Sequence, residues 1–91
     1  MNYTVLWDPR TESDLRKIGR QGSERIRKAV TKRLACNPKL GKQLKGDFTI
    51  PLWSFRIGVY RVLYTFNEEK LIILIARVGH RKDVYDNLPE T

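Results

Sequence analysis

The amino-acid sequence predicts an α+β domain with its elements in the order β-α-α-β-β-β, an N-terminal helical hairpin packed on a small, largely antiparallel sheet. Three observations point there: apolar residues at helical spacing between residues 11 and 35, short apolar and aromatic runs from residue 52 to 78, and turn signals between those runs. A chain of 91 residues can build only one hydrophobic core, so residues 1–91 read as a single domain.

The opening strand rests on Tyr3, Val5 and Trp7, which alternate with Thr4 and Leu6 before the turn dipeptide Asp8–Pro9. Thr11–Glu12–Ser13–Asp14 resembles a capping box, in which the threonine hydroxyl and the aspartate satisfy free amides of the first helical turn. A short helix is therefore expected from about Thr11 to Ile18, with Leu15 and Ile18 inward, broken by Gly19 to Gly22. A second helix, from about Ser23 to Ala35, places Ile26, Ala29, Val30 and Leu34 on one side and leaves Arg25, Arg27, Lys28, Lys32 and Arg33 around the rest. Asn37–Pro38 ends it. Lys39 to Pro51, with Gly41, Gly46 and three lysines, reads as an irregular loop.

Three strands follow, Leu52–Ile57, Tyr60–Phe66 and Leu71–Val78, joined by Gly58–Val59 and by Asn67 to Lys70. The last has no polar alternation before Arg77 and is expected to be central and buried on both faces. A two-residue turn with glycine first sets Ile57 opposite Tyr60, Arg56 opposite Arg61 and Phe55 opposite Val62. Trp53, Phe55, Ile57, Tyr60, Val62 and Tyr64 then share the core face, and Ser54, Arg56, Arg61, Leu63 and Thr65 share the other. Arginines directly opposed on a sheet repel by roughly 0.2–1 kcal/mol unless something anionic lies between them. An external phosphate would serve, and so would the carboxylates of Asp83 or Asp86.

Eighteen Lys and Arg against ten Asp and Glu give a net charge of +8, and the excess is concentrated. Between Arg10 and Lys45 stand twelve basic and three acidic residues, a local charge of +9. Such a patch attracts polyanions, nucleic acid foremost, and an acidic protein partner equally well. The longest apolar run, Leu71 to Ala76, is far short of the roughly 20 residues that span a bilayer. The first residues lack a secretory pattern, and the expected location is cytoplasmic, with no membrane partner. Cys36 is the only cysteine, expected to be small and at least half-buried. It can form no internal disulfide, and with one histidine and scattered carboxylates no metal site or other cofactor is expected.

The segment Val78–Gly79–His80–Arg81–Lys82–Asp83–Val84–Tyr85 leaves a core strand through glycine and presents a histidine, an arginine, a lysine and a tyrosine together. Cleaving a phosphodiester by its neighbouring 2′-hydroxyl needs a base, an acid for the leaving oxygen, and cations for the charge that grows on phosphorus. Arg61 and Arg81 are the candidate cations. His80 is the only histidine, which excludes a two-histidine acid–base pair, so Tyr85 or Lys82 must share the proton transfers. No glycine-rich phosphate loop is present, because Gly19 and Gly22 lack the lysine and hydroxyl residue such loops require.

These residues resemble the RelE/ParE toxin superfamily, and its RelE branch in particular. The resemblance is carried by Leu44–Lys45–Gly46, by the hairpin from Trp53 to Tyr64 with its Arg56–Ile57–Gly58–Val59–Tyr60–Arg61 centre, and by Val78 to Tyr85, and it spans nearly the whole chain. It implies the toxin of a type II toxin–antitoxin system. Its activity would be that of a metal-independent, ribosome-dependent endoribonuclease (an mRNA interferase), cutting messenger RNA in the ribosomal A site by 2′-hydroxyl attack and so inhibiting translation. It implies as partners the ribosome, its mRNA and a cognate RelB-like antitoxin, acidic or amphipathic, that folds onto the toxin. It assigns Arg61 to the scissile phosphate, Arg81 to the transition state or leaving group, and Tyr85 to substrate orientation or proton transfer. His80 falls where members carry lysine or histidine, and Lys45 at a basic RNA-binding position, with Lys42, Arg56 and Lys82 as further RNA contacts. Some members carry two lysines, one a proposed base, where this chain has Leu52 and Ser54, which leaves the base among His80, Tyr85 and Lys82. The ParE branch, which poisons DNA gyrase and generally lacks the closing arginine and tyrosine, is the alternative, with a catalytically inactive, antitoxin-paired RNA-binding domain as a third reading.

Overall fold

The computed structural model describes residues 2–46 and 50–80. The chain begins with strand β1 (Thr4–Trp7), turns through helices α1 (Arg10–Ile18) and α2 (Arg20–Ala29), and closes the helical layer with a π-helical turn, Val30–Leu34. A 3₁₀ turn, Pro38–Leu40, leads to the two-residue strand β2 (Lys42–Gln43), followed by β3 (Trp53–Ile57), β4 (Tyr60–Asn67) and β5 (Ile72–His80). The sheet has five strands in the order β1-β5-β4-β3-β2, with β1 parallel to β5 and every other neighbour antiparallel.

The expected α+β arrangement is the observed one, with local differences. α1 starts one residue earlier than the capping-box reading placed it, because the group that accepts at its end is Asp8: its Oδ1 takes the Arg10 amide at 2.9 Å. Thr11 instead lies buried inside the first turn, its hydroxyl donating to the Asp8 carbonyl at 2.6 Å. Only Gly19, at φ 95°, separates the two helices, while Gly22 lies inside α2. Ser23 ties the corner by donating its hydroxyl to the Leu15 carbonyl at 2.7 Å.

The π turn has a sequence cause. Ile26, Val30 and Leu34, all fully buried, are spaced strictly by four, and in an α-helix of roughly 3.6 residues per turn such residues creep about 40° round the axis at each step. The wider turn, closed by the Ala35 amide on the Val30 carbonyl at 2.8 Å, turns less per residue and keeps Leu34 over the sheet.

The core lies between these helices and one sheet face: Leu15, Ile26, Val30 and Leu34 pack against Phe55, Ile57, Val62, Tyr64, Ile73, Ile75 and Val78. Each large apolar side chain so buried contributes about 1.5–3 kcal/mol. Arg27 lies over the Trp7 ring and Arg33 over the Phe55 ring, so part of the basic helix face roofs the edge of this core.

The last strand is not central. β4 occupies the middle of the sheet, and β5 alternates buried Ile73 and Ile75 with half-buried Ile72 and Leu74, because among the described residues no helix covers the second face of the sheet. Cys36 is exposed, its thiol directed to the Lys32 carbonyl and the Asn2 side chain.

Candidate functional site

The β3–β4 hairpin has the register its glycine dictated. Ile57 stands opposite Tyr60, Arg56 opposite Arg61 and Phe55 opposite Val62, with Gly58 at φ 59° in the turn. Positive φ at the first turn position is what splices two right-twisted strands at this spacing, and glycine supplies it without strain.

Alternation then sorts the side chains. Phe55 and Ile57 enter the core, while Ser54, Arg56 and Arg61 take the opposite face. β2 adds Lys42 there, in register with Ser54, and the buried Ser54 hydroxyl accepts a hydrogen bond from Arg61 Nη1 at 3.1 Å. Across the other edge of β4, Arg61 stands opposite Gly79, which presents no side chain to it. Arg61 is half-buried and donates to Ser54, with Arg56 exposed beside it.

The structure therefore gathers Lys42, Arg56 and Arg61 on one face. Lys45 is exposed in the segment after β2. His80 lies at the last position of β5 opposite Tyr60, and its ring packs on the Tyr60 ring with centroids 5.0 Å apart. Tyr60 belongs to the helix-facing side of the sheet, so His80 flanks the arginine face from its far side. Arg81, Lys82 and Tyr85, like Asp83 and Asp86, lie outside the described residues.

A β-bulge sets this end of the sheet. Leu63 pairs with Arg77 and Tyr64 with Ile75, so Ala76 is the extra residue in β5. The bulge directs Arg77 to α1, where Asp14 accepts from Arg77 Nε at 3.0 Å, from Nη2 at 2.9 Å and from the Val78 amide at 3.0 Å. This carboxylate is the main cause holding the Arg77 guanidinium above its usual pKa. Sequence reading placed no function on Asp14, because a carboxylate in a first helical turn looks like a cap.

Comparison with known proteins agrees with this fold. Residues 5–85 match the family described as ParE toxin of type II toxin–antitoxin system, parDE. The chain is 34% identical over 90 residues to toxin RelG of Mycobacterium tuberculosis, covering 93% of this chain and 98% of RelG. A chain in the crystal structure of the M. tuberculosis toxin–antitoxin complex RelBE2 superposes with a TM-score of 0.82 at 29% identity, covering 89% of this chain and 93% of that one. A mutant of the E. coli toxin RelE in the free state superposes with a TM-score of 0.71 at 26% identity, covering 94% and 93%. The protein is a toxin of the type II toxin–antitoxin class. It belongs to the RelE/ParE superfamily and, within it, to the RelE branch.

Proposed function

We propose that this toxin is a ribosome-dependent endoribonuclease that cuts mRNA in the ribosomal A site without a metal ion, acting as a single domain over residues 1–91. The observation that carries the reading is the pairing of Arg56 with Arg61 on the sheet face away from the helices, beside Lys42. Two guanidiniums and an ammonium gathered on one sheet face attract a polyanion, and the phosphate of an RNA chain is the anion a basic toxin meets on a ribosome.

In the cleavage step the 2′-hydroxyl of one nucleotide loses its proton to a base and its oxygen attacks the adjacent phosphorus. The bond to the 5′-oxygen breaks as that oxygen receives a proton, leaving a 2′,3′-cyclic phosphate. Arg61 binds the scissile phosphate and Arg81 the charge that develops at the transition state, with Tyr85 in the proton transfers, while His80, paired with Tyr60 on the sheet face opposite Arg61, is left to contact the RNA beside the cleaved bond. Arg56, Lys42, Lys45 and Lys82 hold the flanking backbone, which positions RNA without reading its sequence. A RelB-like antitoxin, of the kind bound in the M. tuberculosis RelBE2 complex, is the partner that neutralises the toxin.

The test is cleavage of a defined message on programmed ribosomes by the wild type, Arg61→Ala, Arg81→Ala and Tyr85→Phe, with free RNA as control. Discrete ribosome-dependent cuts lost in Arg61→Ala and Arg81→Ala support the reading. The ParE family match favours a second reading, gyrase inhibition. An uncut message together with inhibited gyrase supercoiling would establish it instead.

A further inference from the structure

The helical layer contributes to the same end of the sheet. α2 crosses the tip of the hairpin: a methyl group on Gly22 would lie 2.8 Å from the Tyr60 hydroxyl, so it is the bare backbone of α2 that gives Tyr60 its place. Three residues further along the same helix, Arg25 reaches the turn itself. A methyl group on Gly58 would lie 3.8 Å from Arg25 Cζ, 3.8 Å from Nη1 and 3.9 Å from Nη2. Near-equal distances to three atoms mean that the guanidinium lies face-on to the glycine.

That orientation has a chemical consequence. The flat face of the guanidinium is turned to the open side of Gly58, and all its N–H donors lie in its plane, across that direction. The other arginines of the helical layer are engaged: Arg10 pairs with Asp8, Arg20 with Glu24, Arg16 with Glu12, Arg27 covers Trp7 and Arg33 covers Phe55. Arg25 is exposed, and among the described residues its donors meet no acceptor. It is a planar fork facing the glycine turn, on the same helix whose Gly22 meets Tyr60, and the exposed His80 ring lies 5.0 Å from the Tyr60 ring, tilted from it by 53°. Forks of this kind suit phosphate oxygens, and paired rings at a rim suit an unstacked base.

We infer that Arg25 binds the phosphate of a message nucleotide flanking the cleaved bond, whose base lies on the Tyr60–His80 ring pair. This rests on the ribonuclease reading above. The RNA strand then passes over the hairpin tip, from the Arg56–Arg61 face to the helix side.

The test measures affinity of the toxin for programmed ribosomes over a salt series, with a message whose cleavage site carries a 2′-deoxy residue so that only binding is read. Arg25→Ala should flatten the log–log salt dependence by about 0.7–1, as loss of one phosphate contact does, and Arg25→Lys should restore most of it. His80→Ala should instead weaken binding about tenfold at every salt concentration, because stacking releases no counterions. Arg10→Ala, which removes an arginine paired with Asp8 at the start of α1, controls for net charge alone. A slope for Arg25→Ala equal to that of Arg10→Ala overturns the inference. So does an equal flattening on ribosomes with an empty A site, since Arg25 would then be touching ribosomal RNA. Whether the wild type cuts the all-ribose message is scored separately, so failure of the ribonuclease reading is seen independently of Arg25.

Discussion

Asp14 and Arg77, 63 residues apart in sequence, are joined by two hydrogen bonds of 3.0 and 2.9 Å, and the same carboxylate caps the Val78 amide. Asp14 is 7% exposed, so its charge is out of water and depends on these three donors. The pair fastens α1 to β5 at the bulge that decides which face each later residue of the strand takes.

Asp14→Ala is therefore expected to destabilise the toxin by about 2–4 kcal/mol, the cost of leaving the half-buried Arg77 guanidinium and the buried Val78 amide without their acceptor. Asp14→Asn keeps an acceptor for one donor and should lose less. Urea denaturation at neutral pH measures both, and an Asp14→Ala variant within about 1 kcal/mol of wild type would show that the pair is held by the fold rather than holding it.

Arg56 offers a test in which stability and activity move in opposite directions. Replacing it by Gln removes a charge from directly opposite Arg61 while keeping a long polar side chain. Arg56→Gln should gain about 0.2–1 kcal/mol of folding stability, and weaken binding to programmed ribosomes with a flatter salt dependence. A variant that is both less stable and equally tight would mean that the two arginines are not in repulsive contact.

The reach of the sequence follows from how local each cause is. The hairpin register was legible because Gly58 and the alternation of Trp53 to Tyr64 fix it within a dozen residues. β2 was not, since Lys42–Gln43 carries no pattern and becomes a strand only by pairing with Ser54 and Trp53. The bulge at Ala76 was equally hidden, because the Asp14 carboxylate that Arg77 and the Val78 amide meet beyond it lies far away in the chain. β5 read as a central strand because Leu71 to Ala76 is apolar throughout, although its burial alternates. In the candidate site, Arg61 and Arg56 could be placed from the hairpin alone. The position of Arg25 over Gly58 required the tertiary crossing of α2.

Gly22 reports on that crossing. Alanine in a helix interior ordinarily gains about 1 kcal/mol over glycine, but here its methyl would press on Ile18 Cγ2 and on the Tyr60 hydroxyl. Overpacking of this kind costs about 1–3 kcal/mol, so Gly22→Ala should be net destabilising. Adding Tyr60→Phe removes the hydroxyl and leaves the ring carbon 3.1 Å away, and a double-mutant cycle should show the second substitution costing less in the Gly22→Ala background. Strict additivity would mean that α2 does not rest on Tyr60.

Tyr64 gives a pH-dependent prediction whose sign follows from burial. Its hydroxyl is fully buried, donates to the Pro38 carbonyl at 2.6 Å and accepts from the Gly41 amide at 3.1 Å. Desolvation pushes its pKa from 10.0 up to about 12, against the smaller lowering by the Gly41 amide. The unfolded chain ionises first, so the stabilisation is complete below pH 10 and is lost as pH rises through about 12. Tyr64→Phe removes both hydrogen bonds and leaves the Gly41 amide and Pro38 carbonyl without this partner, a cost of about 1–3 kcal/mol at neutral pH. Because phenylalanine has no proton to lose, the stability gap between wild type and Tyr64→Phe should stay constant up to pH 10 and narrow from there to pH 12. Denaturant titrations of the two proteins at stepped alkaline pH measure the gap directly, and a gap that widened over that interval would mean that the tyrosinate, not the phenol, is the form the fold prefers.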